Sequence, residues 1–133
     1  MTVVLTQEQA SCGFEDMLVC MLWTSEEEGE DWSIDQLDPE SVDKIWRIYK
    51  DFLSHDIVTE ALSETPNTWK NVGHDFWLTS VGHGAGFWDG DWDTEHHDFG
   101  DKLTDLCRNS IDSCYKGDDD VIYITFSEAS KGT

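Results

Sequence analysis

The side chains with chemistry to offer are histidines, thiols and carboxylates, and their spacing decides what each set can do. Five histidines, His55, His74, His83, His96 and His97, invite a metal reading, with His83 in a glycine turn and the His96-His97 pair a short way on. No H-E-x-x-H or comparable ligand spacing joins them, and adjacent histidines at a helix start point in different directions, so no metal site is expected. Asp89-Gly90-Asp91-Trp92-Asp93-Thr94-Glu95 opens like a calcium loop, with oxygens at positions 1, 3, 5 and 7. Position 6 is then Thr94 instead of glycine, and position 12 is Gly100 instead of a bidentate glutamate, which breaks the pattern. The thiols of Cys12, Cys20, Cys107 and Cys114 are 8 and 7 residues apart within their close pairs, unlike zinc knuckles, and read as reduced core thiols. With 29 Asp and Glu in the chain, no single pair stands out as an acid–base couple. A nucleophile elbow, a phosphate loop and a dinucleotide fingerprint are all missing. No catalytic residue, metal ligand or cofactor is therefore predicted.

What the carboxylates offer together is charge. Against 29 acids the 133 residues carry only 8 Lys and Arg, a formal net charge of -21. A globule of this length is about 35 Å across. The same span of B-DNA, at one charge per ~1.7 Å, holds roughly 20 charges. Equal charge loads exclude direct nucleic-acid binding through a basic surface and make a basic partner the natural complement. The acidity is regional: Met1 to Glu40 holds 11 acids and no base, and Asn71 to Asp101 holds 7 acids and no base. The candidate partner-binding residues are Asp89, Asp91, Asp93, Glu95, Asp98, Asp101, Asp105 and Asp112, joined by Glu26, Glu27 and Glu28 of an upstream acidic loop. A merely solvated face and adaptation to high salt are the plainer readings of the same charge.

Elements must position these groups. Phe14 to Trp23 predicts a short, mostly buried helix with Glu15 and Asp16 in its first turn. Asp38 before Pro39 predicts an N-cap and a helix to about Leu62, with Val42, Ile45, Trp46, Tyr49, Phe52 and Leu53 as its apolar stripe. His74 to Val81 and Ala85 to Asp89 are aromatic runs joined through Gly82-His83-Gly84, which predicts a β-hairpin. Thr94 predicts the N-cap of a helix to about Cys114, with Glu95, Asp98, Asp101, Asp105 and Asp112 on one side and Phe99, Leu103, Leu106 and Cys114 on the other. Asp120 to Phe126, after a Gly117-Asp118-Asp119 turn, predicts a third strand. The expected fold class is α+β, a small antiparallel sheet of about three strands packed with about three helices in the order ααββαβ. At 38% hydrophobic residues, with seven Trp and six Phe, the chain is expected to form one acidic domain over 1–133, with 1–13 and 127–133 loosely ordered. No apolar run nears the length of about 20 residues that spans a bilayer, and the N-terminus lacks a basic start, so a cytoplasmic protein without membrane contact is expected.

From His74 through Asp89 the chain resembles a family of small proteins carried by bacteriophages and related mobile elements, whose shared core reads H-D-F-W-x-T-x-x-G-H-G-A-G-F-W-D. The likeness extends more loosely to Cys20-Met21-Leu22-Trp23, to Leu103 and to Gly117-Asp118-Asp119, and so spans most of residues 14 to 126. Asp120 stands where the pattern usually has glycine. The resemblance implies a viral or mobile-element origin and brings no catalytic residue with it. Its motif residues here are His74, Asp75, Phe76, Trp77, His83, Gly84, Gly86, Phe87 and Trp88, either a core hairpin with glycines at positive φ or a partner-binding tip at His83. In charge and size the chain is also similar to small acidic proteins that disarm host defences by occupying the DNA groove of a restriction or CRISPR enzyme. The expectation is a DNA mimic, acting in the host cytoplasm on the basic groove of a host DNA-binding defence protein. One rival is a small metal-dependent enzyme centred on His74, Asp75 and His83, which needs a cavity beside the hairpin. Another is a host-interaction protein that binds through exposed aromatics.

Overall fold

Capping side chains mark where some of the helices begin. In a computed structural model that describes residues 4–26, 29–82, 86–107 and 111–126, Thr6 and Gln9 cap each other to open α1 (Gln7–Ser11). The next helix, α2 (Phe14–Ser25), starts from Gly13 at φ 86° and buries Phe14, Met17, Leu18, Cys20, Met21 and Leu22. As the sequence predicts, Asp38 caps α3 (Pro39–Leu53), its carboxylate accepting the Ser41 N–H at 3.0 Å. This helix stops short of Leu62. The Ser54 N–H is shared between the Lys50 and Asp51 carbonyls, both at 3.1 Å, which tightens the last turn, and α4 (Asp56–Glu64) restarts from His55.

The expected hairpin is not formed. Residues 74–80 belong to α5 (Trp69–Ser80), which buries Val72, Gly73, Phe76, Trp77 and Thr79 at helical spacing. It opens at Thr68, whose N–H is taken by the Asn71 side chain at 2.9 Å. Reading the aromatic run from His74 onward cuts off this cap and first turn and hides the 3.6-residue period. Phe87–Asp89 form a single 3-10 turn instead of a strand. His83, Gly84 and Ala85 lie outside the described residues.

The helix expected from Thr94 to Cys114 is corrected as well: α6 covers Phe99–Leu106, and Ile111–Lys116 is strand β1. Thr94 instead donates its N–H to the His97 carbonyl at 2.9 Å, closing a turn ahead of α6. The last predicted strand is present as β2 (Ile122–Phe126). It pairs antiparallel with β1, Cys114 opposite Ile124 and Tyr115 opposite Tyr123. Between them Asp120 turns the chain at φ 65°, a conformation that suits glycine. The class is α+β, with six α-helices and one two-stranded antiparallel sheet among the described residues.

At the centre α2 crosses α5 through main chain on main chain. A Cβ on Gly73 would overlap the Gly13 carbonyl, and one on Gly13 would overlap the Trp69 carbonyl. Beside this crossing the Tyr49 hydroxyl donates to the Cys12 carbonyl at 2.7 Å. A chain of aromatic contacts then runs outward, with ring centroids 4.9 Å apart for Phe52 and Phe76, 5.8 Å for Phe52 and Phe87 and 5.2 Å for Phe87 and Trp92. Cys20, Cys107 and Cys114 are buried, Cys12 is half-buried, and none is in a disulfide. Burial pushes all four thiols up, that of Cys20 to about 11. No helix among the described residues is long and apolar enough to cross a membrane.

Candidate functional site

The segment 86–98, between α5 and α6, carries five of the eleven candidate carboxylates, and hydrogen bonds back to α5 and α6 hold it. Thr79 on α5 accepts the buried Phe87 N–H at 3.0 Å. Gly86 packs so closely there that a Cβ would overlap the Thr79 hydroxyl. One turn earlier on α5, Asp75 accepts the Trp92 indole N–H at 2.7 Å, which seats Trp92 in the core with none of its surface exposed. Asp89 accepts the Gly86 N–H at 3.3 Å and Asp93 accepts the Gly100 N–H at 3.0 Å. Gly100 in turn lies against the Phe87 carbonyl, so the 3-10 turn packs on the start of α6.

Three carboxylates of this region, Asp75, Asp89 and Asp93, therefore have a definable structural task. Asp75 differs from the other two because it is half-buried. Burial pushes its carboxyl above the ordinary value of 3.8, Asp89 and Asp91 add to that, and the indole hydrogen bond opposes it. The motif aromatics Phe76, Trp77 and Phe87 are in the core, Trp77 donating its indole N–H to the Thr24 hydroxyl at 2.9 Å, whereas Trp88 is 41% exposed. His74 is half-buried on α5. A groove at the end of this helix, about 370 Å³, is lined by Ser25, Trp77, Val81, Gly82, Asp112, Ser113 and Cys114 and includes neither His74 nor Asp75. Among the described residues no group of three His, Cys, Asp or Glu side chains is placed to hold a metal ion.

Asp89, Asp91, Asp93, Glu95, Asp98, Asp101 and Asp105 are all exposed. The stripe expected to run from Glu95 to Asp112 along one helix is shorter: Glu95 precedes α6, Asp98 is its N-cap residue, and Asp112 is an exposed residue of β1. Asp98, Asp101 and Asp105 remain on one helical side, where Lys102 intrudes and bridges Asp98 at 3.6 Å. Glu26 is half-buried and accepts the Trp32 N–H at 3.2 Å. Glu27 and Glu28 lie outside the described residues.

Sequence reasoning missed Thr79, Trp92, Gly13 and Gly73. The first was legible as a hydroxyl closing the aromatic run and the second as a lone indole in an acidic loop, but the glycine pair joins positions 60 residues apart and leaves no local signal. Searches against protein-family models, curated proteins and solved structures find no match to this chain.

Proposed function

We propose that the protein is a phage-type DNA mimic that occupies the basic groove of a host DNA-binding defence protein, of restriction or CRISPR kind. The observation that carries this reading is the exposure of all seven carboxylates between 86 and 107, in a stretch whose sequence holds a single base, Lys102. The loop that presents five of them is tied to α5 and α6 at Asp75, Thr79 and Asp93, and α6 presents the other two, so the charges are offered on a fixed frame and binding does not have to order a free segment. Carboxylates one turn apart on α6 stand about 5 Å from each other, a spacing that Lys and Arg of a DNA groove can meet. Like charges so close cost some tenths of a kcal/mol per pair within the free protein, and a basic partner relieves that cost.

The test is competition. Purified restriction and CRISPR effector enzymes are titrated with the protein while bound to labelled DNA, and release is followed by fluorescence anisotropy at several salt concentrations. The expected result is displacement from at least one class of enzyme, with affinity falling about tenfold or more from low to physiological salt. Asp91→Asn, Glu95→Gln and Asp101→Asn together, which leave the structural carboxylates untouched, weaken displacement about tenfold or more if each charge contributes ~0.5 kcal/mol. Displacement that is flat in salt, or unchanged in the triple variant, overturns the reading, as does failure to displace DNA from any of the enzymes.

A further inference from the structure

A second surface, on α2 and the segment that follows it, shares no residue with the 86–98 loop and has a different character. That helix spends almost its whole apolar content on the core, yet Val19 and Trp23, one turn apart, are 50% and 73% exposed. They form one wall of a groove of about 330 Å³ whose other wall is Trp32 and Ile34 and whose rim carries Glu26 and Asp31. None of its lining residues is basic. The far wall is fixed in advance, because the Trp32 main-chain N–H is held by Glu26 and its indole N–H by Glu30 at 3.1 Å.

We infer that this groove docks a segment of a partner protein presenting an arginine beside an apolar side chain. Charge complementarity names the occupant: an apolar trough alone would take any hydrophobic group, but two carboxylates on the rim favour a cation at its edge. An exposed indole beside carboxylates suits guanidinium better than ammonium, since a planar guanidinium stacks on the ring while its N–H fork pairs with a carboxylate. The volume is that of about one large side chain with its neighbour's stem, so the occupant is a short segment and not a folded face. This surface does not depend on the acidic loop and stands whether or not that loop binds a DNA groove.

The experiment follows the seven indole N–H resonances in a proton–nitrogen correlation spectrum while acetyl-Gly-Leu-Arg-Leu-Gly-amide is added to millimolar concentration. The resonances of Trp23, assigned by its loss in Trp23→Ser, and of Trp32 move saturably. The lysine counterpart binds several-fold more weakly, and the citrulline counterpart, isosteric but uncharged, moves neither resonance. In Trp23→Ser the Trp32 response is lost while the other indole signals keep their positions, and the Asp91→Asn, Glu95→Gln, Asp101→Asn variant keeps the full response. Equal responses to arginine and citrulline overturn the proposal, as do an unmoved Trp23 and Trp32 pair or a response that survives Trp23→Ser. Movement of the two signals with protein concentration alone also overturns it, assigning the groove to a second copy of the chain.

Discussion

Gly73 and Asp75, two residues apart on α5, show how single positions hold the candidate site in place. The nearest atoms to a methyl group at Gly73 are main chain, the Gly13 carbonyl and the Met17 nitrogen, and main chain cannot step aside as a flexible side chain can. Gly73→Ala is therefore expected to force α2 and α5 apart and to cost about 1–3 kcal/mol, measured by urea unfolding. Asp75 acts through its proton. Because its folded-state carboxyl holds the proton to higher pH than the unfolded one, the stability that the protonated form contributes is full below 3.8 and is lost as pH rises through the raised value. In Asp75→Asn the side-chain oxygen still accepts the Trp92 indole N–H and nothing titrates. The variant's stability relative to the parent is expected to rise from acid to neutral pH, and paired unfolding curves at the two pH values check the sign. A difference that is constant or falls with pH would mean that Asp75 is not strained by its burial.

At the scale of the element, α6 depends on a cap that its own sequence does not supply. Its N-cap residue, Asp98, makes no side-chain cap hydrogen bond, and the Gly100 N–H is met by Asp93, seven residues upstream. Asp93→Ala is expected to cost about 1 kcal/mol and to raise hydrogen exchange first at the start of α6, with Asp93→Asn recovering most of the loss. A cap from outside the usual window explains why Thr94 was the natural sequence choice and the wrong one. What could be read were elements with local signals: Asp38 before Pro39 for α3, and for β2 the β-branched and aromatic run that follows the Gly117-Asp118-Asp119 turn. What could not be read were outcomes settled by tertiary contact. The 74–80 run became helical because Phe76 and Trp77 fill a face against α2 and the aromatic chain, whereas the same residues in isolation favour a strand. Ile111 to Lys116 left the expected helix because β2 was available to pair with it. For the candidate site, exposure of the acids followed from composition, but the division of labour between structural carboxylates and surface ones needed Trp92, Gly86 and Gly100 placed beside them.

For the whole molecule the question is whether an excess charge of -21 strains the fold as the proposed mimicry requires. Two opposing effects set the salt dependence of stability. The described ion pairs, Lys102 with Asp98, Lys116 with Glu30 and the looser contact of Lys116 with Asp120, are weakened by salt. The exposed Lys102 bridge is worth about 0–1 kcal/mol, and the half-buried Lys116–Glu30 pair is screened less by salt, so the loss is small. Against that, most carboxylates have other carboxylates as their nearest charged neighbours in sequence, and their mutual repulsion is screened once the Debye length falls to about 10 Å or less. Screening of the repulsion wins. Thermal unfolding is expected to shift upward on adding monovalent salt by a few degrees, on the order of 1 kcal/mol, and then to level off. The Asp91→Asn, Glu95→Gln, Asp101→Asn variant is expected to melt above the parent at low salt and to lose most of that lead at high salt, since the repulsion it removes is the one that salt screens. A melting temperature that falls with salt, or a triple variant with no low-salt advantage, would mean that these carboxylates stand too far apart to repel one another. They would then be too dispersed to stand in for a line of phosphates.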